Sequence, residues 1–209
     1  MKYESRKNEK EQYMVKKKPS LFQVPKQNYI TISGEGDPNK PDFAKHIGAL
    51  YPIAYPIKFN FKFSFKSDPD KESPDGYDDF RVFPLEGVWS SHSSDPTQKD
   101  KFIYTIMIRQ PYFVTEEMFS QAQNAAIEKE DNELIEQVKF QTIEDGLCAH
   151  IMHVGPFDDE PATFEKLHAF IDEQGLKRKG YDHREIYISD FRRTKPENLK
   201  TILRVQVEE

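Results

Sequence analysis

The stretch His183-Arg184-Glu185-Ile186-Tyr187-Ile188-Ser189-Asp190 places a carboxylate inside a run that otherwise reads as a strand. Side chains alternate between the faces of a strand, so Ile186 and Ile188 share one face while Glu185, Tyr187 and Ser189 share the other. A glutamate two residues from a tyrosine on the floor of a cleft can hold a cation or serve as a general base, because desolvation raises a carboxyl pKa towards neutrality. Glu185 and Tyr187 are therefore the candidate catalytic pair. An edge glutamate facing solvent is the plainer reading of the same spacing.

The other constellations are weaker. Glu86, beside Gly87, is the rival carboxylate, and its plain alternative is to hydrogen-bond a bulge at that glycine. Trp89 is the single tryptophan and closes the same strand, where it can stack on a flat ligand. Tyr51, Tyr55, Tyr112 and Phe113 are candidates for the cleft wall, with burial in the core as the alternative. His150-x-x-His153 would face opposite sides of a strand, so no metal ligands are assigned. Cys148 lies in an apolar strand, the setting of a buried inert thiol. Ser90 and Ser189 lack the Gly-x-Ser-x-Gly turn of a hydrolase nucleophile. Gly34-Glu35-Gly36 lacks the third glycine of a dinucleotide loop and carries acids where phosphates would lie, so no cofactor is expected.

Several elements position these residues. Residues 1–19 read as a short surface helix or a mobile arm. Asn28–Gly34 alternates as a first strand. Pro41 opens a helix carrying Phe43, Ile47, Leu50 and Tyr51, which should end or kink near Tyr51 because Pro52 and Pro56 each remove a donor. Phe59, Phe61, Phe63 and Phe65 alternate like a strand while Lys58, Lys62 and Lys66 keep a helical spacing, and both readings stay open. Ser67–Tyr77 and Ser91–Asp100 read as loops. Asp79–Ser90 and Lys101–Gln110 read as strands, the first placed at an edge or bulged by Pro84 and Gly87. Thr115 caps a linking helix over 115–131. Strands at Val138–Ile143 and Leu147–Val154 are joined by Glu144-Asp145-Gly146. A helix with Phe164, Leu167, Phe170 and Ile171 on one face follows, then the Glu185 strand and a strand over Leu199–Val207.

The order strand, helix, strand, strand thus occurs twice, over 28–110 and 138–207. The expected fold is α+β: two tandem modules related by a pseudo-two-fold, an antiparallel sheet with helices on one side, and a ligand groove between the modules. Residues 20–209 form the expected single domain.

Of the 209 residues, 32% are charged and 13% aromatic, so apolar surface must be concentrated in a core and a lined cavity. A net charge of −6 argues against binding nucleic acid by neutralising phosphates. One cysteine excludes an intrachain disulfide and, with no membrane span or signal peptide, points to the cytoplasm.

His153-Val154-Gly155-Pro156-Phe157, Gln174-Gly175, Glu185-Ile186-Tyr187-Ile188-Ser189-Asp190 and Pro196-Glu197-Asn198-Leu199-Lys200-Thr201 resemble the GyrI-like small-molecule-binding family. Gly34-Glu35-Gly36-Asp37-Pro38-Asn39 and Pro84-Leu85-Glu86-Gly87-Val88-Trp89 resemble its longer, stand-alone branch, in which a second tryptophan usually stands where this chain has Ser90. The resemblance covers about Ser20 to Val207. It implies a hydrophobic cleft with one acidic residue, which maps onto Glu185, and a hydrophobic or aromatic small-molecule ligand. In the family's transcription regulators that glutamate engages cationic lipophilic drugs. In some stand-alone members it takes part in adding water to cyclopropane-bearing DNA alkylators. Some twenty-seven residues before the first strand leave no room for a helix-turn-helix, so a transcription regulator is not expected. The functions that stay open are a ring-opening hydrolase, a passive binder of lipophilic cations, and a protein inhibitor of a topoisomerase.

Overall fold

The computed structural model describes residues 1–68, 70–95 and 97–209. Pro69 and Pro96, within the two loops expected at Ser67–Tyr77 and Ser91–Asp100, lie outside the described residues. In chain order the elements are β1 (Lys2–Tyr3), α1 (Ser5–Asn8), α2 (Lys10–Tyr13), β2 (Ser20–Val24), β3 (Gln27–Glu35), α3 (Pro41–Ser67), β4 (Asp79–Phe80), β5 (Leu85–Ser91), β6 (Phe102–Gln110), α4 (Glu116–Lys129), β7 (Lys139–Ile143), β8 (Gly146–Val154), α5 (Glu160–Glu173), β9 (Lys177–Arg178), β10 (His183–Tyr187) and β11 (Lys200–Glu208).

One antiparallel sheet runs β2-β8-β11-β10-β5-β6-β3-β7, with β9 added against β11. From its centre outwards, β10-β11-β8-β2 mirrors β5-β6-β3-β7, which is the pseudo-two-fold arrangement expected from the repeated element order. The central junction is β10 against β5, where Glu185 pairs with Gly87. Ile151, Leu203, Glu185, Gly87, Ile106 and Ile32 are register neighbours in one row across the sheet, so their side chains share a face. On that face α5 buries Leu167 and Ile171 against Ile151 and Leu203. Helix α3 covers Ile106 and Ile32 at the other end. Glu185 and Gly87 therefore lie between the two helices.

Three expectations are corrected. First, α3 does not stop near Tyr51 but continues for 27 residues through Pro52 and Pro56, and the phenylalanine run belongs to it. Leu50, Ile53, Ala54, Ile57 and Phe61 form its buried stripe. At about 1.5–3 kcal/mol for each large side chain, that burial outweighs the roughly 3 kcal/mol cost of an interior proline. Alternate phenylalanines then divide by helical period: Phe61 packs on Phe65, while Tyr51, Tyr55, Phe59 and Phe63 stack along the outer side.

Second, β5 is central, not an edge, and its register with β6 runs without a bulge from Leu85 to Ser91; Pro84 precedes it. Third, of the two readings of residues 1–19 the mobile arm gives way: the segment carries the short helices α1 and α2 and is built into the fold. Lys2–Tyr3 pairs with β4, Tyr13 is fully buried, and Glu9 bonds Arg109. The short strand β2, not expected from the sequence, extends the sheet beyond β8.

Strands β7 and β8 do not pair with each other. Only Glu144 and Asp145 separate them, although β7 is one edge of the sheet and β8 is second from the other. The sheet must therefore curl so that its two ends meet at this corner. The concave side faces away from Glu185 and carries a buried polar network. Arg184 there bonds Glu86 at 3.0 Å and Asp145 at 2.9 Å and lies over the Tyr29 ring. Among the described residues no helix is long and apolar enough to cross a membrane.

Candidate functional site

Glu185 and Tyr187 lie on the helix-covered face of β10, where Glu185 is only 8% exposed. Two side chains not singled out from the sequence complete the cluster. His183 has the same strand parity as Glu185, and its Nε2 bonds Glu185 Oε1 at 2.9 Å. Glu160, the first residue of α5, is 7% exposed and its Oε1 has no hydrogen-bond partner among the described residues. Glu160, His183 and Glu185 each bring one donor atom within 4.8 Å of the others, a set that could hold a divalent cation although no metal ligands were assigned from the sequence.

Two carboxylates so close and so buried cannot both carry an unscreened charge. Among the described residues neither forms an ion pair with a lysine or arginine. Burial, with the Glu185 and Asp158 carboxylates adding, pushes the Glu160 carboxyl up to about 10, so Glu160 holds a proton at neutral pH.

Trp89 and Tyr187 lean towards one another along the sheet, and the indole Nε1 donates to the Tyr187 hydroxyl at 2.9 Å. They meet over Gly87. A Cβ there would lie 2.6 Å from Trp89 Nε1 and 3.2 Å from the Tyr187 oxygen, so this strand position needs glycine for space rather than for backbone freedom. Trp89 packs on Phe43, Phe102 and Tyr104 and is itself buried. Burial drives the Tyr187 phenol well above its ordinary range, and the adjacent Glu185 carboxylate adds to the rise. Phe157 and Phe191, from the loops after β8 and β10, meet the Tyr187 ring edge-on.

Glu86, Tyr112 and Phe113 are placed apart, whereas Tyr51 and Tyr55 stand on α3 near Arg192, shortly after β10. Glu86 is fully buried on the opposite face with Arg184, because neighbours along a strand point to opposite sides. Tyr112 is exposed and bonds Asp75, while Phe113 stacks on Phe61 at 4.6 Å beneath α3. Tyr51 is half-buried on α3 near Arg192, and Tyr55 stands outside it, 47% exposed. His150 and His153 do face opposite ways, the first bonding Ser20 and the second Thr163. Cys148 is fully buried, and burial lifts its thiol to about 11.

A cavity of about 530 Å3 lies between α3 and α4, and one of about 520 Å3 lies on the concave side of the sheet, lined in part by His183. The carboxylate cluster is distinguished by uncompensated charge, not by open volume.

The family model described as GyrI-like small molecule binding domain matches residues 17–208. The chain belongs to this family. Among solved structures, an uncharacterized conserved protein from Listeria innocua is 39% identical, with a TM-score of 0.86 over 99% of this chain and 100% of that one. A hydrolase from Listeria innocua is 38% identical, with a TM-score of 0.86 over the whole of both chains. The EcmrR C-terminal domain shares the fold at 13% identity and a TM-score of 0.51, over 92% of this chain and 98% of that domain. No curated protein matches the chain. Small-molecule binding is thus the family property that this GyrI-like chain inherits, and Glu185 lies at the junction of its two halves.

Proposed function

We propose that the protein binds a flat, hydrophobic small molecule at the Glu185 cluster and opens a strained, electrophilic ring in it by adding water. The observation that carries this reading is the unequal pair of buried carboxylates, Glu160 protonated and Glu185 held by His183. In the reaction Glu185 takes a proton from water while the water oxygen bonds to the ring carbon. The breaking carbon–carbon bond sends its electrons into the conjugated system, whose terminal oxygen picks up a proton. Glu160 keeps its own proton and limits the pair to one negative charge, while Tyr187 and Trp89 fix the geometry. The likeness to a hydrolase from Listeria innocua supports turnover. The cellular role that follows is protection of DNA from cyclopropane-bearing alkylating compounds in the cytoplasm.

Incubation with such an alkylator, followed by mass spectrometry for the hydrated product, tests the proposal. General-base assistance is worth about a hundredfold to ten-thousandfold, so Glu185→Gln should lose turnover by that factor while still binding. Equal catalytic product from both proteins removes Glu185 from the chemistry. Product from neither supports the second reading, sequestration of lipophilic cations, which the excess of carboxylates over bases in the cluster favours.

A further inference from the structure

Among the described residues Arg204 is the largest fully buried side chain, and none of its three guanidinium nitrogens has a hydrogen-bond partner. It projects from β11 on the concave side of the sheet, the face opposite Glu185, since it pairs in register with Arg184 and His150. The neighbouring guanidinium is engaged through both terminal nitrogens: Arg184 bonds Glu86, Asp145 and the Met107 sulfur. Neither carboxylate bonds Arg204. A buried guanidinium normally has its fork of donors filled by a carboxylate or phosphate.

Arg204 forms part of the wall of the half-open cavity of about 520 Å3 on the concave side of the sheet, with strands from both halves contributing. That volume is in the range of drug-sized ligand sites. Its wall has an apolar part, Val88, Met107 and Ile143, and a cationic mouth residue, the exposed Lys179. The charges set the ligand's valence. Glu86 and Asp145 both bond Arg184 and neither bonds Arg204, so among the described residues the wall holds one guanidinium with open donors, enough for one carboxylate and not for a compact dianion. One negative group can take the free donors of Arg204 while an apolar body fills the rest.

From this geometry we infer that the concave cavity is a second small-molecule site, specific for an organic monocarboxylate with an apolar body. Its lining includes His183, which bonds Glu185, but neither Glu185 nor Glu160, whose carboxylates would repel such a ligand.

The test uses the full chain with 2-naphthoate as the probe, read by thermal melting and calorimetry. A ligand that binds only the folded state raises the melting temperature in proportion to its saturation. Wild type and Glu185→Gln should be stabilised alike by millimolar 2-naphthoate, and neither by 2-naphthalenemethanol, which keeps the ring without the charge. Arg204→Met should lose the response. It should melt at or above the wild-type temperature without ligand, because replacing an unpaired buried charge by an apolar side chain is neutral or stabilising. Lys179→Glu lies on the surface and should weaken the affinity severalfold, so it decides the matter if Arg204→Met does not fold. Equal stabilisation of wild type and Arg204→Met, an unaltered affinity in Lys179→Glu, no response of wild type, or equal effects of acid and alcohol would each overturn the inference. Displacement of 2-naphthoate by an equal concentration of inorganic phosphate would show a bare oxyanion site and overturn the organic-acid assignment.

Discussion

The indole nitrogen of Trp89 and the hydroxyl of Tyr187, 2.9 Å apart, join the two halves of the sheet directly above Gly87. Tyr187→Phe would leave a buried N–H without a partner, at a cost of about 1–3 kcal/mol. Urea unfolding should show that loss, and the single tryptophan should report it as emission at shorter wavelength. A flat ligand that engages Tyr187 should alter the same emission in the wild-type protein. If calorimetry registers binding and the spectrum does not move, the ligand sits elsewhere.

Gly87→Ala would push a methyl group into the indole and the phenol together. Both belong to well-packed neighbours, so relief requires moving rings, and overpacking of this kind costs roughly 1–3 kcal/mol. The expected result is a lower melting temperature together with a change in the Trp89 signal. A variant that melts like wild type with an unchanged spectrum would show that the rings give way freely.

Glu160 makes stability depend on pH. Its folded pKa is raised from an ordinary 4.5 to about 10, so between those values the folded state binds a proton that the unfolded state has released. Its contribution is fully present below the unfolded pKa and declines as pH rises towards the folded one. Unfolding of wild type and Glu160→Gln at pH 5, 7 and 9 should therefore show the variant gaining on wild type as pH rises. A constant difference would mean that Glu160 ionises normally.

Glu86→Ala removes one partner of a buried ion pair and leaves Arg184 with Asp145 alone. Breaking such a pair costs about 3–5 kcal/mol. Denaturant midpoints should fall accordingly, while the proposed turnover, per folded molecule, should stay near wild type because Glu86 faces away from Glu185. A selective loss of turnover would place Glu86 in the mechanism instead.

The repeated strand-helix-strand-strand order was legible because two-residue and helical periods are local properties. The parity of Glu185 and Tyr187 followed from the same rule, and His183 was within its reach, two residues before Glu185. Glu160 was not legible: at the start of a helix an acid is ordinary, and only the packing of α5 on β8 brings it to Glu185. The aromatics Tyr112 and Phe113 were likewise decided by tertiary neighbours, Asp75 and Phe61, that are far away in sequence. For α3, local proline chemistry gave way to the burial of a stripe against the sheet.

An axis drawn through the Gly87–Glu185 pair exchanges Trp89 with Tyr187 and Glu86 with Arg184, and both exchanged pairs are hydrogen bonded. Two identical chains assembled about such an axis would bring the same residue face to face with itself. Two glutamates would meet there as like charges, and two glycines would offer no acid at all. Joining the halves in one polypeptide lets the positions differ, so that one copy supplies a carboxylate and the other the room beside it. The single acid at this junction is therefore something that a fused pair can have and a symmetric homodimer cannot.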